Sequence, residues 1–368
     1  MDDGADLDGE PGERRRGPAL PDLSRRTALQ RLAAGAGWAA AGLLLPRGWG
    51  AAPPAPGATP PRPGRGELVR VPPGGSIQSA VDRAPAGAEV RVAPGTYHET
   101  VVIDKPLTLR SEEGYRSTVI RADHRRFHWR GVRRDDQIVG AINVVKTSDV
   151  RVEGFQLEDA LEGLWVSASR RVLVARCMSC EHASSGYYFW ASQEATLTAS
   201  DGRLNAVGVY QGNSIDVTIV GCRFTANHGG VVEHLDNEDF PGIGILVGNA
   251  SIRCAIGGNR SFGNRDWGLG TDSTIRHLTV SGNDLRGQRR GASVSGRGMV
   301  LRRNNLVGNS EAGLQADAPT DARYNWWGDG SGPSGDGPGR GEAVRGYARY
   351  RPWLESPVTL PPFALPGP

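Results

Sequence analysis

The chain has 368 residues, a formal net charge of +3, 52 Gly and 25 Pro. Its length allows one elongated domain or two compact ones, and its near-balanced charge makes nucleic acid an unexpected partner. Glycine recurs periodically in the middle while proline gathers at the ends, which excludes a collagen and a uniformly disordered chain.

Residues 1–23 are polar and Pro/Gly-rich and are expected to be disordered. Ser24-Arg25-Arg26-Thr27-Ala28-Leu29-Gln30 then precedes an apolar stretch from Leu32 to Leu45. Paired arginines before a short, weakly hydrophobic segment read as a twin-arginine export signal. The match lies in Ser24, both arginines and Leu29; Ala28 and Gln30 stand where Phe and Lys are usual. The apolar stretch is short for a stable membrane span, and the small residues around Gly50-Ala51-Ala52 suit cleavage. The expected location is therefore extracellular, cell-surface or periplasmic. The expected organisation is an N-terminal region with its signal (1–52), a Pro-rich linker (53–66), a β-solenoid (67–335) and a C-terminal cap and tail (336–368).

Ser76 is placed as an N-cap before Ile77, Ala80, Val81 and Ala84, which share one face of a short amphipathic helix. Strands are predicted at Glu89–Val92, Val101–Ile103, Leu107–Leu109 and Thr118–Ile120. A solenoid end needs a plug against exposed core and open strand edges, and the helix at 76–84 is the candidate.

From Asn143 to Trp327 one strand–turn unit is written repeatedly. Gly163, Gly186, Gly208, Gly268, Gly291 and Gly313 open copies. A landmark column follows at Cys177, Gly202, Cys222, Asn259, Asn283, Asn304 and Asn325, with steps of 25, 20, 37, 24, 21 and 21 residues. This period, with β-branched residues and Gly/Asn turns, predicts stacked β-coils. The asparagines are expected to form a hydrogen-bonded ladder at about the 4.8 Å strand spacing. Two stretches break the period: arginine-rich 121–137, which holds His124, His128, Phe127 and Trp129, and acidic 228–241. Insertions in solenoids emerge as loops on one face, which often binds.

Alternation of side chains places Asn143, Trp165 and Tyr210 outward, together with Tyr188 or Trp190 in the copy between them. An outward aromatic column offers a platform for sugar rings. The acidic insertion supplies Glu233, His234, Asp236 and Asp239 as acid–base candidates, and the Arg125–Arg134 cluster could neutralise a uronate. Asp135-Asp136 is a carboxylate pair expected to be neutralised by its arginine neighbours. Cys177-Met178-Ser179-Cys180 with His182 nearby lacks the second pair of a tetrahedral metal site. The four cysteines read as turn or buried thiols, with Cys177 and Cys222 too far apart to bridge. After Trp327, Tyr347, Tyr350 and Trp353 are expected to fold back over the last coil.

Three segments carry a family resemblance at the front: Ser76-Ile77-Gln78-Ser79-Ala80-Val81, Val92-Ala93-Pro94-Gly95-Thr96-Tyr97-His98-Glu99, and Ile103-Asp104-Lys105-Pro106-Leu107-Thr108-Leu109. Asn325-Trp326-Trp327-Gly328 with Ser331-Gly332-Pro333 carries it at the back. Together they resemble right-handed parallel β-helix repeat proteins of the pectin-lyase-like superfamily over about Glu67 to Pro333. The resemblance implies an all-β, right-handed parallel β-helix with an N-terminal helical cap. It implies no single activity, because esterases, lyases, epimerases and non-enzymes share the opening motif. The catalytic segments of pectin methylesterases, pectate lyases and polygalacturonases are absent.

The leading expectation is an exported monomer that binds, and cleaves or modifies, a polysaccharide, with an acidic polymer as the suited ligand. Lyase, hydrolase and epimerase chemistry all remain open. A surface or periplasmic scaffold or adhesion solenoid is the alternative. A copper-related maturation factor is disfavoured by scattered Met and His, 3 and 7 in number. No metal site is assigned from spacing, although many related lyases use calcium and the acidic insertion could hold one.

Overall fold

The computed structural model describes residues 66–122, 132–232 and 238–363. The export signal and Pro-rich linker lie outside these, as do His124, Phe127, His128 and Trp129. The chain winds into a right-handed parallel β-helix of about ten turns. Each full turn contributes a strand to three faces. The first face runs through Gly140–Val145, Glu162–Ser167, Ser185–Trp190 and Val207–Gly212; the second through Ser148–Glu153, Arg170–Ala175 and Thr196–Thr198; the third through Gln156–Glu158, Met178–Cys180 and Asp201–Arg203. All stacking is parallel, in a 21-stranded sheet that joins the first two faces and a nine-stranded sheet that forms the third. Inward positions along each strand form one continuous apolar column, including Ile142, Leu164, Tyr187, Val209, Ile245, Leu269, Ala292 and Leu314.

The N-terminal plug forms as the sequence dictates. The helix spans Ile77–Arg83, the Ser76 side chain accepts from Ser79 N–H, and Ile77, Ala80 and Val81 are buried. Glu99 adds a second clamp. Its carboxylate accepts from Ile77 N–H at 2.6 Å, Gln78 N–H at 3.0 Å and the Ser76 hydroxyl at 2.9 Å. A carboxylate suits these unpaired amides at the positive helix end. Tyr97 donates to Ala93 O at 2.7 Å. The opening Gly-Thr-Tyr-x-Glu motif is thus a device that seats the plug on the first coil.

The corners follow a two-residue rule. A residue with left-handed backbone comes first: Arg176, Glu181, Ala199, Leu204, Gly221 or Ala226, for example. The next residue, Cys177, His182, Ser200, Asn205, Cys222 or Asn227, points into the coil and bonds its neighbours. Asn259, Asn283, Asn304 and Asn325 form the expected ladder. Asn259 N–H donates to Asn283 Oδ1 at 2.9 Å, Asn283 N–H to Asn304 Oδ1 at 3.0 Å, and Asn304 N–H to Asn325 Oδ1 at 2.9 Å. Further up this column the member is Ser200, not Gly202: Cys177 N–H donates to Ser200 Oγ, whereas Gly202 sits mid-strand opposite Ser179 and Phe224. A second ladder of His182, Asn205, Asn227 and Asn264 fills another corner.

The opening glycines have a steric reason. A Cβ on Gly163 would lie 1.8 Å from Ser179 Oγ and 2.7 Å from His182 Nε2, so the second ladder and its supporting serine occupy that space. Gly244 belongs to the same column and is masked in the sequence by the insertion before it.

At the far end Gly341–Arg349 pairs in parallel with Ala312–Asp321, carrying the solenoid past residue 335. Tyr350 and Trp353 pack against the core, as expected. Tyr347 does not; it is 71% exposed, because its strand position faces outward. The segment after Trp353 then runs back along the third face. Val358 and the Asn305 side-chain amide exchange two hydrogen bonds, at 2.9 and 2.8 Å. Arg260 donates to Pro361 O, and the Arg223 guanidinium lies 4.8 Å from the Phe363 ring centroid.

Candidate functional site

The outward row of the first face has the predicted register. Asn143 aligns with Trp165, Trp165 with Tyr188, Tyr188 with Tyr210, and Tyr210 with Leu246. Trp190, two residues beyond Tyr188, shares its side, so the wide copy presents both aromatics. Tyr188 and Tyr210 stack with centroids 4.4 Å apart, and Trp165 meets Tyr188 edge-on at 4.7 Å.

This row is covered rather than open. Trp165, Tyr188 and Tyr210 are buried in a second apolar cluster with Val139, Val207, Phe240, Ile243, Leu246 and Trp267. Alternation correctly aimed them away from the coil interior, but other parts of the chain close over them. Asn143 is saturated by backbone. Its Oδ1 accepts from Val139 N–H and Gly140 N–H, and its Nδ2 donates to Val101 O and Gly140 O. It therefore clamps a corner. Burial pushes the Tyr188 and Tyr210 hydroxyls well above the usual tyrosine range, so both stand as protonated donors.

Two covers close the row, with different chemistry. Gly230–Val232 and Glu238–Phe240 pair as an antiparallel hairpin, which is the acidic insertion seen in the sequence. Its Phe240 is buried against the cluster, with its centroid 6.0 Å from Tyr210. The second cover is the helical turn Arg134–Asp136, which buries none of its residues. The Arg134 guanidinium carbon sits 4.7 Å from the Trp190 ring centroid, and Arg134 Nη1 is 3.5 Å from the Tyr188 hydroxyl. Trp190 Nε1 donates to Asp135 Oδ1 at 3.0 Å, Ser167 Oγ donates to Asp135 O, and Lys146 pairs with Asp136. Asp135 also faces Arg133 at 3.6 Å, as expected of an arginine neighbour, whereas Asp136 takes Lys146 as its partner instead.

A cleft of about 520 Å³ opens beside the hairpin, at the corner leading into the first face. It is lined by Asp159, Ala160, Leu161, Glu181, His182, Ala183, Leu204 and His228. Asp159, Glu181 and Leu204 are the left-handed corner residues of successive coils. Their backbones are therefore about 4.8 Å apart, with exposed side chains turned out. His228 stands at the hairpin's first stem. Nothing in the residue pattern marks these positions as a group. Glu181 and Asp159 read as ordinary turn residues, and only the corner register aligns them.

Of the acid–base candidates in the insertion, Glu233, His234 and Asp236 lie outside the described residues. Asp239 is exposed on the return strand opposite Val231. His182 floors the cleft as a ladder member: Nδ1 accepts from Ala160 N–H and Nε2 donates to Leu157 O. Burial lowers its pKa to about 4. The four cysteines are free and buried. Burial raises Cys177 and Cys180 to about 11 and Cys222 to about 12, so each stands as a protonated thiol. Among the described residues no group of three or more His, Cys, Asp or Glu is placed to hold a metal ion. No helix among them is long and apolar enough to cross a membrane.

No family model matches the sequence, and no curated protein matches it. Solved structures do. The alginate lyase of Paenibacillus sp. str. FPU-7 aligns with a TM-score of 0.53 at 14% identity, over 77% of this chain and 99% of the lyase. The A-module of an Azotobacter vinelandii mannuronan C-5 epimerase aligns at 0.50 and 17%, over 68% and 71%. Pectate lyase Pel9A aligns at 0.50 and 12%, over 78% and 79%. At these identities the likeness is one of fold: the chain shares a parallel β-helix with these structures.

Proposed function

We propose that this is an exported polysaccharide-binding protein that cleaves or modifies its ligand in the cleft beside the hairpin. The carrying observation is the cleft itself. It sets Asp159 and Glu181 on adjacent coils, His228 at its rim and the apolar Leu204 in its wall. Paired-carboxylate chemistry on sugars works with carboxyl groups roughly 5–9.5 Å apart, a range that one-coil spacing can reach. Leu204 offers an apolar surface to a ring face. Glu233, His234 and Asp236 belong to the same insertion in the sequence, and in this reading they stay acid–base candidates beside Asp159, Glu181 and His228. The structural relatives act on alginate and pectate by their names, which supports an acidic polymer as ligand.

The test is a polysaccharide screen that follows reducing ends and unsaturated-uronate absorbance together, with and without calcium. Reducing ends with absorbance mean β-elimination, and reducing ends alone mean hydrolysis. Glu181→Gln should lower turnover by about 10²-fold or more while ligand still binds, the scale of a lost general acid or base. Full activity in Glu181→Gln, Asp159→Asn and His228→Asn alike would remove the cleft from the reaction.

One observation favours the non-enzymatic scaffold instead: the aromatic row is packed under its covers, leaving no open platform on the first face. Silence in both assays, with no binding to any polymer, would select that reading.

A further inference from the structure

The two covers over the aromatic row differ in the forces that hold them. The hairpin contributes buried Phe240, an apolar contact that is lost only with the fold. The turn at Arg134–Asp136 has three half-buried residues and none fully buried, and it meets the row and its rim through ionic, cation–π and hydrogen-bonded contacts. Such contacts exchange readily with water and with a charged ligand. The turn also holds Trp190 in a particular way. Arg134 occupies one ring face, Asp135 takes the indole N–H, and the backbone of Gly212 lies under the ring, where an added Cβ would sit 3.1 Å away. Trp190 is the one member of the row left half-buried. Oε1 of Gln137, the residue immediately after the turn, is buried without a hydrogen-bond partner, so the closed arrangement leaves a polar group unpaired.

We propose that the Arg134–Asp136 turn is a displaceable latch, and that its release opens the face of Trp190 as a stacking subsite for a uronate ring. The inference rests on the polysaccharide reading above and gives it a second site, outside the cleft. Once the turn is released, the Arg134 guanidinium exchanges the Trp190 ring and the Tyr188 hydroxyl for the ligand's carboxylate. The ligand therefore competes for the ring face that the guanidinium now covers. Closure reduces apparent affinity by the fraction of time the latch is shut.

The test uses the full chain with two readouts. Acrylamide quenching of Trp190, taken as the difference between wild type and Trp190→Phe, reports access to the ring without any ligand. Calorimetry with oligogalacturonate hexamers reports binding. Asp135→Ala removes the grip on the indole and leaves Arg134 in place. It should raise quenching of the Trp190 component two- to threefold and tighten hexamer binding about tenfold, the change expected for a latch worth ~1.4 kcal/mol. Trp190→Ala should abolish that gain. Quenching unchanged by both Asp135→Ala and Arg134→Ala would overturn the latch. Hexamer binding indifferent to Asp135 and Trp190 would overturn the subsite and leave the cleft reading standing. Conversely, binding through Trp190 with full turnover in the cleft variants would remove the cleft and keep the subsite.

Discussion

His182 takes its role from its neighbours in the fold rather than from those in sequence. Beside Cys177 and Cys180 it lacks the second pair that a tetrahedral metal site needs. In the fold it stands in an amide column, with Nδ1 accepting where Asn205 uses Oδ1 and Nε2 donating where Asn205 uses Nδ2. The imidazole must stay neutral to do this, because protonation removes the acceptor that Ala160 N–H needs. Its folded pKa of about 4 lies below the ordinary 6.5. Between those values the unfolded chain binds a proton that the folded chain refuses. Stability from this group is complete above pH 6.5 and falls as pH drops toward 4, by about 3 kcal/mol in all. His182→Asn matches the rest of the column and should flatten that part of the pH dependence. Urea midpoints at pH 7 and pH 4.5, compared between variant and wild type, measure it; an unchanged difference would mean that another group carries the acid sensitivity. The corner role was hidden because His182 differs in type from the asparagines of its own column, whereas the run of asparagines from 259 to 325 was legible from residue type and spacing alone.

At the level of the element, the corner pair is the unit that fixes register. The first residue takes a left-handed backbone that costs a non-glycine about 1–2 kcal/mol, and the second recovers this by bonding the coils on either side. Asn283 is fully buried. It accepts from Asn259 N–H and Asn259 Nδ2, and it donates to Ile256 O and Asn304 Oδ1. Asn283→Ala takes one bond from each of four groups and leaves Asn259 N–H without its acceptor, and a loss of about 2–4 kcal/mol is expected from urea unfolding. A loss under about 1 kcal/mol would mean that water replaces the amide. The glycine column and strand alternation were readable because their cause is local. Burial of Trp165, Tyr188 and Tyr210 was not, since Phe240 and Arg134 arrive from insertions 30 or more residues away in the chain. Ser200 was passed over for Gly202 because Gly is the commoner turn signal, and a serine two residues earlier looks like ordinary strand edge.

Across the whole molecule the two ends are closed by unlike means: a helix clamped by Glu99 at the front, and a folded-back segment at the rear. The rear segment ties several coils together rather than only the last one. It bonds Tyr324 and Asn325 through Pro352 and Leu354, then Asn305, then Arg260. Removing residues 352–368 should therefore speed amide exchange from about residue 300 to 349 and leave the coils at 140–190 protected, as expected for a stack stabilised by nearest-neighbour contacts. Uniform acceleration along the chain would show that the stack unfolds as one unit. The sequence pointed to Tyr350 and Trp353 as cover, and it was silent about the return path, because proline-rich tails carry no periodic signal.

The hairpin between Gly230 and Phe240 leaves the ladder beneath it intact. Asn227 N–H still reaches Asn264 Oδ1 at 3.1 Å across a step of 37 residues. Its two stems are pinched together at Gly229 and Gly242, where an added Cβ would strike the opposite stem at 2.3 and 2.6 Å. The coil thus treats as cargo what is inserted between Val232 and Glu238, with Phe240 kept on the aromatic row. A peptide of different length or sequence spliced there meets the same fixed doorway, which makes this corner a port for grafting recognition loops onto a stiff rod.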